Sequence, residues 1–194
     1  MTDFARFPED LPVPVDDGAA DHLLGAEVAS ARLPSSLGGD VDLAQLAEGL
    51  VVVYAYPRTG VPGEPLPSGW DAIPGARGCT PQSCSFRDHV AELAAEGAEV
   101  VGVSAQSPAQ QAEFAEREHI PYPLLSDGGL ALARAMGLPT FETDGVRLYR
   151  RLTFVAERGQ VARVFYPVFP PDRNALEVLA WLQGRDATGA SRAL

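Results

Sequence analysis

The feature that most constrains the fold is an uninterrupted apolar run at residues 50–56, LVVVYAY. A strand with one solvent-exposed face alternates apolar and polar residues, whereas this run contains no polar break. Continuous runs of this length are typical of a central strand that is covered on both faces of its sheet. The run therefore predicts a sheet that lies between two layers of helices.

Strand and helix patterns alternate after this run, and an antiparallel pair and a closing helix follow. The predicted strands are residues 99–104 and 122–125, the predicted hairpin joins 151–157 to 160–166, and the predicted helices are 80–96, 108–119, 130–136 and 174–183. This order predicts an α/β fold with a mixed central sheet and helices on both faces. No linker composition divides the chain, so we expect one domain over residues 1–194, with an N-terminal extension at 1–40.

Composition excludes several classes of function. The formal net charge of −11 argues against binding to nucleic acid or to an anionic membrane surface. No apolar run is long enough to span a membrane, and the polar, proline-rich N-terminus does not resemble a signal peptide. We therefore expect a cytoplasmic protein, in which the two cysteines are reactive, metal-binding or incidental rather than a structural disulfide.

Cys79 and Cys84 lie at the start of the helix whose predicted N-cap is Thr80 and whose predicted stop is Gly97. The unpaired N–H groups and the positive end of a helix favour an anion, and the thiolate is the reactive form of cysteine. Cys79, just before this N-cap, is therefore the candidate nucleophile. Arg58, Arg77 or an arginine from elsewhere in the fold would add positive charge there.

The spacing of the two cysteines restricts how they can react together. In an intact helix, residues five apart are separated by about 7.5 Å along the axis and do not share a face. A disulfide needs Cα atoms within about 7 Å of each other. A bond between Cys79 and Cys84 therefore requires the first turn to unwind, which the flanking Gly75 and Gly78 favour.

Two other roles for the cysteines remain open at this point. Both could be ordinary structural residues, with Cys84 as a small core side chain. A zinc site would need four ligands, and the chain offers only the two cysteines and three scattered histidines, His22, His89 and His119.

The segment YAYP…GCTPQSCSFRD resembles the active-site segment of the peroxiredoxins, in the PrxQ or bacterioferritin-comigratory-protein branch of the AhpC/TSA superfamily. The resemblance continues through EVVGVSAQS, EFAEREHIPYPLLSD and RLTFV, and so covers residues 41–183. It implies a thioredoxin-like fold. It also implies the reduction of hydrogen peroxide and organic hydroperoxides.

The resemblance also implies roles for individual residues. Cys79 matches the peroxidatic cysteine, Cys84 the resolving cysteine, and Arg151 an arginine that binds the peroxide and the thiolate. Cys79 would become a sulfenic acid and then form an intramolecular disulfide, which thioredoxin or a similar dithiol would reduce. No metal or cofactor is expected, and the protein would be a monomer or a weak dimer.

The chain departs from the family pattern in the loop before Cys79. Pro57 matches the family's proline, but Ala76 stands where the family has Thr or Ser, three residues before the cysteine. Thr59 could supply the missing hydroxyl if the intervening Pro- and Gly-rich segment bulges outward. This segment makes residues 57–78 a loop insertion, and with Trp70 it could be a lid or a partner surface.

Two rival functions follow from the same cysteines. A thioredoxin-like disulfide reductase is disfavoured because the spacing is C-x4-C instead of C-x-x-C. A non-enzymatic redox sensor would use a Cys79–Cys84 bond to alter a binding surface around residues 60–69.

Overall fold

The computed structural model describes residues 11–189. The strands in this part are β1 (Arg32–Pro34), β2 (Asp40–Asp42), β3 (Leu50–Ala55), β4 (Ala98–Ser104), β5 (Leu124–Ser126), β6 (Thr140–Thr143), β7 (Val146–Tyr149), β8 (Leu152–Glu157) and β9 (Gln160–Phe165). The helices are α1 (Leu43–Leu46), α2 (Cys79–Asp88), α3 (Val90–Ala95), α4 (Pro108–Arg117), α5 (Ala131–Met136) and α6 (Asn174–Gly189). The predicted extension and domain include residues 1–10 and 190–194, which lie outside the described part, and their extents remain predictions.

Five strands form the central sheet, in the order β5-β4-β3-β8-β9. β3 pairs in parallel with β4 and antiparallel with β8, so the predicted mixed sheet is confirmed. Side chains of β3 alternate between two buried clusters: Val51 and Val53 face one, and Val52 and Tyr54 face the other. Helices α1 and α5 pack on the first face, and α2, α3, α4 and α6 pack on the second. The apolar run at 50–56 therefore has the doubly covered environment that its sequence predicts.

Gly102 in β4 makes room for the tyrosine that contacts α2. A Cβ at this position would lie 2.7 Å from both Tyr54 and Leu124, closer than packed atoms approach. The absence of a side chain leaves room for the end of the Tyr54 ring, which stacks on Phe86 of α2 with ring centroids 4.6 Å apart. The sheet and α2 are thereby joined through a buried aromatic pair.

The helix that was predicted from Thr80 to Gly97 is two helices. α2 begins at Cys79, its N-cap is Gly78 with φ 97°, and a break at His89 separates it from α3. The Thr80 N-cap prediction was wrong because a glycine reaches positive φ without strain and starts the helix two residues earlier. Pro81 then occupies the third helical position, where an N–H has no partner within the helix anyway.

α6 also differs from its prediction, because it continues past Gly184 to Gly189. A glycine inside a helix costs only about 1 kcal/mol relative to alanine, which packing readily offsets. No helix within residues 11–189 is long and apolar enough to cross a membrane.

The loop at residues 57–78 folds back onto a hairpin, β6–β7, that the sequence analysis missed. Trp70 is 3% exposed and packs with Ala76 and Leu148 in a small third cluster. Its ring lies 6.2 Å from that of Phe141, centroid to centroid. Trp70 therefore packs on the buried side of the loop and does not offer an exposed surface to a partner.

Candidate active site

Cys79 and Arg151 are brought together by the central sheet and α2. Ala55, the last residue of β3, pairs with Leu152, the first residue of β8, so Arg151 lies at the end of β3 from which the loop leads to α2. Cys79 is the first residue of α2 and is 4% exposed. The sheet register thus places a cationic side chain next to the N-terminus of the helix that bears the thiol.

The Arg151 guanidinium contacts the sulfur directly. Its Nη2 lies 3.2 Å from Cys79 Sγ, and the residue is 3% exposed. A guanidinium group is protonated at every pH of interest, so this contact fixes a positive charge against a buried sulfur. The structure therefore brings together the two residues that the sequence analysis placed at the centre of the chemistry.

Backbone carbonyls of the turn before Cys79 accept hydrogen bonds from the same guanidinium. Nε donates to the Gly75 carbonyl at 3.2 Å, and Nη2 donates to the carbonyls of Ala76 at 3.2 Å and Arg77 at 3.0 Å. The Cys79 thiol in turn lies 3.7 Å from the Ala76 carbonyl. Position 76 therefore contributes a backbone acceptor where the family pattern has a side-chain hydroxyl.

A chain of buried amide and hydroxyl groups holds the guanidinium from its other side. Arg151 Nη1 donates to Gln82 Oε1, and Gln82 Nε2 donates to Asn174 Oδ1 at 2.9 Å. Asn174 Oδ1 also accepts from Thr153 Oγ1 at 2.6 Å. Sequence analysis missed these residues, although Gln82 lies three positions after Cys79 and therefore on the same side of α2.

The Thr59 hydroxyl is hydrogen-bonded to Gln106. Its Oγ1 donates to Gln106 Oε1 at 3.1 Å, its backbone N–H donates to the same oxygen at 2.8 Å, and the residue is 2% exposed. A hydroxyl has one hydrogen to donate, and here Gln106 accepts it. This geometry therefore gives no support to the prediction that Thr59 replaces the hydroxyl missing at Ala76.

Cys84 lies farther along α2 in a different environment. It is a free thiol like Cys79, it is half-buried, and its Sγ lies 3.8 Å from Glu118 Oε2. Burial raises the pKa of the Cys84 thiol; the positive charge of Arg87 opposes this rise, and the negative charge of Glu118 adds to it. The surroundings of Cys84 in intact α2 therefore favour the neutral thiol over the thiolate.

Two buried tyrosines, Tyr54 in β3 and Tyr122 just before β5, form hydrogen bonds to the middle of α2. Tyr54 Oη donates to Ser83 Oγ at 3.0 Å, and Tyr122 Oη donates to the Ser83 carbonyl at 2.8 Å. Ser83 directly precedes Cys84. Unwinding of α2 that extends to Ser83 therefore breaks these hydrogen bonds.

The contact between Glu118 and Cys84 gives a prediction for thiol reactivity. In a Cys79→Ser background, Glu118→Gln is expected to lower the pKa of Cys84, because it removes the negative charge beside the sulfur. Alkylation by iodoacetamide requires the thiolate, so the curve of rate against pH should shift to lower pH.

Glu113→Gln is the matched control, because Glu113 pairs with Arg117 at 2.8 Å, as Glu118 does at 2.6 Å. The contact described above joins Cys84 to Glu118 and not to Glu113. A shift of equal size in both variants would contradict a direct effect of Glu118.

The three histidines do not assemble with the cysteines. His22 Nε2 bonds to the Met136 carbonyl at 3.0 Å, and His89 Nδ1 pairs with Glu92 at 2.6 Å. Within residues 11–189 no group of three or more His, Cys, Asp or Glu side chains could hold a metal ion. The zinc-site alternative therefore has no ligand set in the described part of the chain.

Comparisons with known proteins identify the family of this chain. The model of the Redoxin family matches residues 23–179. The chain is 32% identical over 182 residues to chloroplastic peroxiredoxin Q of Gentiana triflora, with 91% of this chain and 76% of that protein covered. It is 34% identical over 146 residues to chloroplastic peroxiredoxin Q of Sedum lineare, with 75% and 70% covered.

Solved structures of peroxiredoxins superpose on this chain. Peroxidoxin BcpB from Mycobacterium tuberculosis superposes with a TM-score of 0.68 at 32% identity, over 83% of this chain and 96% of that one. The bacterioferritin comigratory protein of Xanthomonas campestris, studied for its alkyl peroxide reduction activity, has a TM-score of 0.64 at 26% identity, over 91% and 99%. The predicted thioredoxin-like fold is thus confirmed. The chain belongs to the Redoxin family and is a PrxQ-like peroxiredoxin of the AhpC/TSA superfamily, a peroxidase that takes its electrons from thiols.

Proposed function

We propose that Cys79 is the nucleophile of this peroxidase, that Arg151 binds the reacting oxygens, and that Cys84 resolves the oxidised product. The observation that supports this proposal most directly is the 3.2 Å contact between Arg151 Nη2 and Cys79 Sγ. It supports the proposal because a hydrogen-bond donor lies beside the sulfur that a peroxide oxygen would approach.

In the first step, the Cys79 thiolate attacks one oxygen of the hydroperoxide. An S–O bond forms while the O–O bond breaks, and the electron pair of the O–O bond leaves with the other oxygen. That oxygen takes up a proton and departs as an alcohol, or as water when the substrate is hydrogen peroxide. Cys79 is left as a sulfenic acid. Arg151 stabilises the oxygens as charge develops on them, since its Nη2 already faces the sulfur.

In the second step, the Cys84 thiol condenses with this sulfenic acid. A disulfide forms, the hydroxyl group leaves the Cys79 sulfur, and the proton of the Cys84 thiol completes a water molecule. α2 must unwind for this step, because the two residues occupy one continuous helix and lie five positions apart. Thioredoxin or a similar dithiol then reduces the disulfide and restores both thiols.

The proposed substrates are hydrogen peroxide and organic hydroperoxides, with no metal or cofactor in the reaction. A cytoplasmic location and a monomeric or weakly dimeric state are proposed with them, from sequence alone.

The test of the resolving role compares two reductants. Cys84→Ser is expected to keep peroxide turnover with dithiothreitol, a small thiol that can reach the Cys79 sulfenic acid, and to lose most of its turnover with thioredoxin. Peroxide consumption is measured with each reductant, and dimedone labelling reports the sulfenic acid that accumulates.

Equal turnover of Cys84→Ser and the wild type with thioredoxin would remove Cys84 from the mechanism. If the wild type forms the disulfide but turns over with neither reductant, the redox-sensor function replaces the peroxidase cycle proposed here.

A further inference from the structure

A small buried cluster joins the loop before Cys79 to the strand that leads to Arg151. Trp70, Ala76 and Leu148 form this cluster, and all three are buried. Ala76 belongs to the turn whose carbonyls bind the Arg151 guanidinium. Leu148 lies in β7, three residues before Arg151. The cluster therefore connects the segment that carries the hydrogen-bond acceptors to the segment that carries their donor.

Trp70 has a fixed position on the hairpin β6–β7. Its ring lies 6.2 Å from that of Phe141, centroid to centroid, and Phe141 is the cross-strand partner of Leu148. The backbone N–H of Ser68 donates to Asp144 Oδ2 at 3.2 Å, which ties the same loop to the turn of the hairpin. The hairpin therefore sets the position of the indole ring.

Short-range contacts link Trp70 to the acceptors of the guanidinium. The Ile73 N–H donates to the Trp70 carbonyl at 3.3 Å, and the Ala76 N–H donates to the Ile73 carbonyl at 3.1 Å. Arg77 Nε pairs with Asp71 Oδ1 at 3.1 Å. A displacement of Trp70 would therefore move residues 76 and 77, whose carbonyls accept from the guanidinium.

The orientation of the guanidinium depends on these acceptors. Its N–H groups point in fixed directions within one plane, so acceptors on one part of the group orient the rest. The carbonyls of residues 75–77 accept from Nε and Nη2 of Arg151, and Nη2 also faces Cys79 Sγ at 3.2 Å. A shift of the turn would therefore change the direction of the donor at the sulfur.

We propose that Trp70 is a positioning residue of this peroxidase, which acts by holding the carbonyls of residues 75–77 so that Arg151 keeps its contact with Cys79. The inference rests on the proposed function of Arg151 and Cys79. Trp70 acts through Arg151 and does not touch the peroxide.

The test measures kcat/KM for hydrogen peroxide with dithiothreitol in excess, expressed per folded protein by circular dichroism. Trp70→Ala is expected to lower kcat/KM about tenfold to hundredfold, because a misplacement of about 1 Å at a reacting centre can cost about a hundredfold. Trp70→Phe should stay within about threefold of the wild type, since a ring still fills the cluster. Phe141→Ala should give a smaller fall, and it decides the test if Trp70→Ala does not fold.

The same substitutions in an Arg151→Leu background separate positioning from a general structural role. If Trp70 acts through Arg151, Trp70→Ala or Phe141→Ala should lower kcat/KM by less than about twofold once Arg151 is absent. Trp181→Ala is the matched control, because Trp181 packs in a different cluster, with the Arg185 guanidinium 4.9 Å from its ring centroid. Its kcat/KM per folded protein should stay within about twofold of the wild type.

An equal fall in both backgrounds, or an equal fall in Trp181→Ala, would overturn the positioning role while leaving the peroxidase assignment intact. Unchanged kcat/KM in folded Trp70→Ala would overturn it as well. A wild type that consumes no peroxide would instead overturn the proposed function and this inference together.

Discussion

Replacing Cys79 by serine is expected to abolish peroxide consumption with every thiol reductant. The serine hydroxyl remains protonated at neutral pH and cannot form a sulfenic acid, so neither step of the proposed cycle can start. The fold should be retained, because the substitution replaces one buried sulfur atom by oxygen and nearly keeps the size of the side chain. The measurement is peroxide loss under dithiothreitol and, separately, under thioredoxin, with circular dichroism to confirm folding.

Cys84→Ser is the control for this loss, because it makes the same atom exchange on the same helix. It should remain active with dithiothreitol. If Cys79→Ser consumes peroxide at a rate similar to that of Cys84→Ser, Cys79 is not the nucleophile.

Replacing Arg151 by leucine is expected to lower kcat/KM for peroxide by about 10²–10³, the usual effect of removing one preorganised donor to a developing charge. For a cysteine in general, a fall in thiol pKa from about 8.5 to about 6 increases the thiolate about thirtyfold. The accompanying loss of nucleophilicity is about tenfold, so thiolate formation alone gives a net gain of only about threefold. The larger contribution must come from donors to the breaking O–O bond, which in the proposed mechanism belong to Arg151.

The same substitution is expected to reduce stability. Arg151 is buried and donates to three successive carbonyls before Cys79, and each buried acceptor left without a donor costs about 1–3 kcal/mol. Rates must therefore be expressed per folded protein, with the free energy of unfolding measured by urea titration. Arg147→Leu is the control, because its side chain is 63% exposed and pairs with Glu142 on the surface. Near-normal kcat/KM in folded Arg151→Leu would refute the assignment.

Sequence analysis predicted the parts of the fold that local patterns determine. The apolar run at 50–56 identified the central strand, and the residues around Cys79 identified the helix that begins the site. Arg151 was placed at the site only through the family resemblance, since no local pattern connects it to a cysteine 72 positions earlier. The sheet register makes that connection, through the pairing of Ala55 with Leu152.

The remaining contacts of the site depend on tertiary packing. Gln82 contacts Asn174, which lies 92 positions later in the sequence. Glu118, which follows the last residue of α4, contacts Cys84. No periodicity in the sequence indicates either contact. Thr59 was predicted to supply the hydroxyl missing at Ala76, and this stays a prediction; the contact of its hydroxyl with the amide oxygen of Gln106 is not indicated by the sequence. The hairpin β6–β7 was missed because its strands are only four residues long and its burial depends on the loop that covers it.

The break between α2 and α3 limits how far unwinding of α2 can extend along the chain. His89 donates its N–H to the Ser85 carbonyl of α2, and its own carbonyl accepts from the Leu93 N–H of α3, so the two helices meet at His89. Leu93 is fully buried in the cluster that covers β4. Unwinding of α2 could therefore end at His89 and leave the neighbouring helix docked on the sheet. Repeated oxidation and reduction would then unfold and refold only the ten residues of α2, while the rest of the fold stays intact.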